Sequence, residues 1–336
     1  MSWKTKVLFL YVLAFHSGCH QIRNEKAETL PSCSVVDFRG EIVALEQPAK
    51  RAVCLIESTL SGIYMLGAGE QVIGISTNVY EKKLFDYYAQ IDNRIAEKQL
   101  PAPGNWDLVS MEQVVALRPD VVFIWSSQTE TIARLETFGI PVYGVMLKSF
   151  DDVVKEIRDL GILFGKQERA QTLIDFTMHE LNELQKAPVS PSKTAYFSWT
   201  QGINHTSGIK STVNDMFSYA GVSNVCVLPD EHISVNIEQL LMWNPELIVL
   251  WPRIGNGVDE FLENKQLQSV KAISKEQIYE LPDPFLCDLW TLKFVYAAYL
   301  VNEWAYPEAE KLSPEVYKTF LLKSFYGDKF QGNENQ

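Results

Sequence analysis

Five tryptophans carry the first hint of chemistry in this chain: Trp106, Trp125, Trp199, Trp251 and Trp290. Three of them close or follow apolar runs and lead into polar residues, Trp125 into Ser126, Trp199 into Thr200-Gln201 and Trp251 into Pro252-Arg253. In open parallel sheets ligands bind beyond the carboxyl ends of the strands. The same rule adds Ser58 and Thr59, after the apolar run 52–56, and Asp283, after the run 277–281. Trp106 and Trp290 lie in adjoining loops. Several indoles with hydroxyls and one or two charges describe a flat, apolar-walled cleft for a large, partly polar small molecule. Packing between strand and helix explains any one of these tryptophans equally well; the set is what points to a ligand.

Catalytic patterns are missing. The chain has no G-x-S-x-G, H-E-x-x-H or G-x-G-x-x-G. Residues 202–211 faintly echo a phosphate loop, but the glycine spacing is one too long and Ile209 intrudes before Lys210, so the segment reads as a loop ending in a helix cap. His20, His179, His205 and His232 are too few and too scattered for a dedicated metal site, which needs several converging imidazoles. We expect no enzyme, no metal site and no cofactor. Arg253 and Lys293 leave a small oxyanion as an alternative ligand.

The elements that must position these residues are announced by a stretch that occurs twice. MEQVVALRPDVVFIW (111–125) and IEQLLMWNPELIVLW (237–251) are offset by 126 residues and share Glu112/Glu238, Gln113/Gln239, Pro119/Pro245 and Trp125/Trp251. Ser110 and Asn236 are good N-caps, and a Gln three residues on completes a capping-box pattern. Each copy therefore opens a helix of about two turns, which the proline ends at Arg118 or Asn244. The four apolar residues that follow the acid, without alternation, fit a strand covered on both faces. Two copies predict two similar α/β lobes with parallel-type sheets, spanning 35–150 and 188–336.

Between the lobes, residues 151–187 read as linking helices: one from Asp152 to Phe164, ended by Gly165, and a long one to Lys186 with an apolar stripe at Ala170, Leu173, Ile174, Leu181 and Leu184. That length spans about 30 Å, enough to cross between lobes. At the amino end, Lys4 and Lys6 precede the apolar run 7–15, too short to cross a bilayer but suited to a secretory signal over 1–18. Ser17-Gly18-Cys19 looks like a bacterial lipobox with His16 where leucine is usual, so Cys19 is the expected lipidation site and 19–34 a tether to the membrane. Removal of 1–18 takes away two lysines and no acids, moving the formal charge from −12 to −14. Nucleic acid is not a partner for such a surface. Cys33, Cys54, Cys226 and Cys287 read equally well as disulfides or as buried free thiols.

Glu112 and Glu238 occupy first turns, where the helix dipole gives a carboxylate roughly 0.3–1 kcal/mol. That suffices to explain both. The functional reading is that each lobe displays one acid, at the rim opposite its tryptophan, to meet two arginines on a two-fold partner.

At this point the chain resembles a known family. The lipobox-like end, LGAGEQVIGIS (66–76), MEQVVALRPDVV (111–122), a linking helix and SVNIEQLLMWNPELIV (234–249) look like ABC-transporter substrate-binding proteins of the cluster that includes cobalamin and ferric-siderophore binders. The resemblance covers roughly 35–305. It implies two α/β lobes joined by one long rigid helix, a ligand cleft between them, and docking of Glu112 and Glu238 on a permease dimer that works with an ATPase. It also implies a metal chelate as cargo, whether ferric siderophore, heme or corrinoid; molybdate or tungstate is the alternative, and a ligand sensor on the same fold is a further one.

Overall fold

The computed structural model describes residues 33–186, 192–253, 255, 257–309 and 311–330. The expected signal, Cys19 and most of the tether lie outside them. An antiparallel hairpin, β1 (Cys33–Val36) and β2 (Ile42–Leu45), comes first. The first lobe follows as β3 (Ala52–Cys54), α1 (Glu57–Met65), β4 (Val72–Ile75), α2 (Lys82–Ile91), α3 (Asn93–Ala96), α4 (Met111–Leu117), β5 (Val121–Trp125), α5 (Thr129–Thr137) and β6 (Val142–Val145). Next come α6 (Phe150–Leu163) and α7 (Gln167–Gln185). The second lobe contains β7 (Thr194–Ser198), β8 (His205–Thr206), α8 (Thr212–Tyr219), β9 (Ser223–Asn224), β10 (Ile233–Ser234), α9 (Ile237–Trp243), β11 (Leu247–Leu250), α10 (Gly257–Leu262), α11 (Lys271–Ser274) and β12 (Ile278–Glu280). Helices α12 (Phe294–Ala305) and α13 (Pro314–Tyr326) follow, and a single 3-10 turn, Gly327–Lys329, comes after α13.

Each lobe is built on a four-stranded sheet, β4-β3-β5-β6 in the first and β9-β7-β11-β12 in the second, with every pairing parallel. Read by chain position, both orders are second-first-third-fourth. The duplicated stretch therefore marks a duplicated topology. β5 and β11 are the third strands, and their unbroken apolar runs are buried because helices cover both faces.

The repeat unit has the expected helix, stop and strand. Arg118 and Asn244, just before the prolines, leave the helix in the left-handed region at φ 47° and 45°. The acid after each proline then ties the unit to the neighbouring strand: Asp120 Oδ2 accepts from the Lys50 and Arg51 amides at 2.8 and 3.0 Å, and Glu246 Oε2 from the Thr194 amide at 3.2 Å. The caps differ between copies. Asn236 Oδ1 accepts from the Gln239 amide at 2.8 Å, whereas the Ser110 side chain makes no cap bond; the Ser110 amide donates to the Pro103 carbonyl, and at ψ 96° its hydroxyl does not reach the helix.

The expected placement of the acids is corrected here. The start of α4 is tied to the carboxyl end of β4 through the bridges Ser76–Gly104 and Gly104–Val109, while its end is tied to the start of β3, Arg51 donating to the Leu117 and Arg118 carbonyls. Helix α9 starts beside the loop after β7, with Val235 N–H on the Asn204 carbonyl, and ends near the start of β7. Each helix thus runs antiparallel to its strand. Glu112 and Glu238 share the sheet edge of Trp125 and Trp251, rather than the opposite rim, because a helix-turn-strand unit returns its two free ends to one side.

One hydrophobic core runs without a break from the first sheet through α6, α7, α12 and α13 to the second, and a smaller core lies on the far side of each sheet. Helix α7 makes the crossing: Arg169 near its start donates to the Met65 carbonyl of α1, and Gln185 at its end reaches Ser218 of α8. Its 19 residues span about 28 Å. Helix α13, which the sequence reading leaves unassigned within the second lobe, returns to the first, Tyr326 hydroxyl meeting Ser61 of α1 at 2.5 Å. Cys33, Cys54, Cys226 and Cys287 are buried free thiols. Among the described residues no helix is long and apolar enough to cross a membrane.

Candidate functional site

Three of the five tryptophans come together on the second lobe. Trp199 lies parallel to Trp290 with ring centroids 6.2 Å apart (8°), Trp251 stands 5.5 Å from Trp199 and 5.7 Å from Trp290, and the exposed His232 ring lies 5.2 Å from Trp199. Trp199 and Trp251 come from the carboxyl ends of β7 and β11, where the strand-end rule puts them. Trp199 is oriented from behind: its Nε1 donates to Ser207 Oγ at 2.9 Å, and that hydroxyl donates to the Glu231 carbonyl. Trp251 and Trp290 remain partly exposed. The wall is preorganised, with one indole hydrogen bond already satisfied.

On the first lobe the candidates scatter. Trp125 and Ser126 are half-buried at the end of β5, and Trp106 is 54 % exposed on the loop before α4. Ser58 and Thr59 are corrected: they lie in the first turn of α1, not in a loop, and both are buried, Thr59 Oγ1 donating to Glu156 Oε1 of α6 at 2.7 Å. Thr59 thereby ties α1 to α6. Asp283 is also occupied, its Oδ1 accepting from the Phe285 and Leu286 amides.

The two cations that kept an anion in view are engaged. Arg253 Nη1 pairs with Glu260 at 2.9 Å, and Nη2 donates to Ser198 Oγ at 3.0 Å and the Trp199 carbonyl at 3.2 Å; its side chain is 8 % exposed, and among the described residues its buried Nε has no partner. Lys293 is buried, its Nζ 2.7 Å from Ser61 Oγ and 3.5 Å from the centre of the Phe285 ring, a contact worth about 2 kcal/mol when desolvated.

Two carboxylates stand nearby: Glu57, beside the strand-end pair Ser58 and Thr59, and Asp288, which sequence reasoning passed over. Glu57 opens α1 at the carboxyl end of β3 and accepts from Ser76 Oγ at 2.6 Å. Asp288 Oδ1 accepts the Trp290 N–H at 3.0 Å. Burial pushes the Asp288 carboxyl up to about 6, with Lys293 opposing and Glu57 adding to the rise, so the two lobes' edges lie within electrostatic reach of each other. Glu231 is driven up to about 7 by burial, with Lys148 of the first lobe opposing; burial lowers the His232 pKa and favours its neutral form. The strand-end rule reaches Glu57, but nothing in the spacing of Asp288 marks it, a single acid in an otherwise ordinary turn. Among the described residues no group of His, Cys, Asp and Glu is arranged to hold a bare metal ion.

Two lobes on parallel sheets, a bridging helix and an aromatic wall at the strands' carboxyl ends define a bilobal solute-binding protein. Residues 53–285 match the family described as periplasmic binding protein, and the chain belongs to that family. It is 24 % identical over 321 residues to the molybdate-binding protein MolA of Haemophilus influenzae, covering 88 % of this chain and 86 % of that one. It is 24 % identical over 205 residues to the vitamin B12-binding protein of Vibrio campbellii, covering 60 % and 70 %. The solved structure of MolA bound to molybdate matches with a TM-score of 0.74 at 19 % identity, over 89 % of this chain and 99 % of that one. The protein is thus an ABC-transporter periplasmic binding protein of the cell envelope, a transport component rather than an enzyme, and its partner is an ABC permease.

Proposed function

We propose that the protein captures a metal chelate, a ferric siderophore, heme or corrinoid, and delivers it to a permease dimer driven by an ATPase. The observation that carries this reading is the wall of Trp199, Trp251 and Trp290, whose neighbouring cations are already spent on protein groups. Stacked indoles offer broad apolar area and a negative π face. With Glu57 and Asp288 close by, this surface favours a large neutral or cationic complex over a small anion, which needs clustered donors free to point at it. The membrane attachment is through a lipid on Cys19 in this reading, and Glu112 and Glu238 are the groups that meet the permease.

A second reading, binding of molybdate or tungstate, draws on the similarity to the molybdate-binding relative and on the unpartnered Arg253 Nε. Titration of tryptophan fluorescence with hemin, cyanocobalamin, a ferric siderophore and molybdate separates the two. Saturable quenching by one of the three complexes is expected. Quenching by molybdate alone supports the oxyanion, and a flat response to all four removes the chelate assignment; a ligand sensor on the same fold differs in having no permease and ATPase encoded beside it.

A further inference from the structure

We infer that Lys293 is a positioning residue of the binding face, a strut between the lobes that holds the segment carrying Trp290 against α1 and so fixes where the indole wall stands. The inference rests on the reading of Trp199, Trp251 and Trp290 as the ligand face, and adds what sets their place. Lys293 precedes α12 in the second lobe, yet its Nζ donates to Ser61 Oγ on α1 at 2.7 Å and to the Tyr326 hydroxyl on α13 at 3.3 Å. The Ser61 and Tyr326 hydroxyls meet each other at 2.5 Å, closing a small polar ring inside the apolar core, with the Phe285 ring over the ammonium. In the same segment Asp288 Oδ1 accepts the backbone amide of Trp290 at 3.0 Å while its charge attracts the lysine, and the Trp290 ring lies parallel to Trp199. A chain of interactions thus leads from the first lobe to the wall: Ser61, Lys293, Asp288, Trp290, Trp199.

A buried ammonium is disfavoured unless its surroundings compensate, so its presence where methionine would fill the same space asks for a reason. The groups acting on it are Asp288, Asp283 and Cys287 from its own segment, Ser61 from α1 and Tyr326 from α13. Glu57 on α1 acts in turn on Asp288, which itself bears on Glu156 of α6, and Tyr87 of α2 faces Asp283. Burial draws the lysine down to about 8, with Asp288 and Asp283 opposing. The strut is therefore charged at neutral pH. Because burial lowers this pKa, the closed structure gives up the proton more readily than an opened one, and a rise in pH does not by itself loosen the strut.

Hydrogen exchange read by mass spectrometry, together with the circular-dichroism exciton couplet of the stacked indoles, tests this on the unliganded full chain. Relative to wild type at neutral pH, Lys293→Met should lower protection over 57–65 and 286–293 ~10-fold and weaken the couplet. A Lys293→Met protein that keeps wild-type protection and couplet overturns the inference. If Lys293→Met does not fold, the double variant Ser61→Ala/Tyr326→Phe keeps the lysine and removes its acceptors; the same loosening is expected, and wild-type protection again overturns the strut. Neither readout needs a ligand, so failure here is distinct from failure of the ligand-face reading, which appears as absent quenching by every probe.

Discussion

At the scale of single residues, engagement decides which of the candidates are free to act. Arg253 keeps a small oxyanion in view in the sequence; its partners Ser198 and Glu260 come from a different strand and from the next helix, a pairing only the folded chain makes. Thr59 is the reverse case: it follows a strand, as a ligand contact should, but α1 begins two residues earlier and turns it onto Glu156. That carboxyl is 1 % exposed, and burial pushes it up to about 8 against the Thr59 hydrogen bond. A raised carboxyl binds more protons folded than unfolded between roughly its model-compound value and 8, so its contribution to stability is lost as the pH climbs through that window. Glu156→Gln keeps an acceptor for Thr59 without the charge. Urea denaturation should show the variant more stable than wild type by on the order of a few kcal/mol at about pH 9 and nearly equal at about pH 5. Equal stabilities at both pH values would contradict the buried-carboxyl account.

At the scale of elements, the repeat was the most legible part of the chain. Its helix, left-handed stop and buried strand follow from apolar pattern and a proline, and both copies form. Elements without such a signature stayed hidden. β8, β9 and β10 have two residues each, too few for any periodicity, yet the β8–β10 pair helps carry the loop that orients Trp199. Helix α13 was lost because its value lies in contacts with α1, which is distant in sequence. The direction of the repeat helices bears on the proposed docking role, since Glu112 and Glu238 are exposed at the start of α4 and α9, on the sheet edges that bear Trp125 and Trp251. Replacing both with lysine should reduce stimulation of the transporter's ATPase at least ~10-fold while ligand affinity stays within about twofold, as expected when charges that orient docking are reversed. Undiminished stimulation would remove these acids from the docking surface.

For the whole molecule, the continuous core is the controlling feature. Lobes that share one core through α6, α7, α12 and α13 resist large independent motion, since packed interiors are not freely deformable. Such a molecule suits a rigid cargo held at a preformed wall, and the fold class, lobes and linking helix were all legible before the structure because duplicated patterns report architecture. Trp199, Trp251 and Trp290 were legible one by one from the strand-end rule, but their meeting was not, because they are gathered from β7, β11 and the loop before α12. Native mass spectrometry of the protein purified from its own host tests the central claim most directly. The account predicts a bound species with a metal's isotope pattern and the mass of an organic metal complex; a bound species with the mass of a bare four-oxygen oxyanion would contradict it.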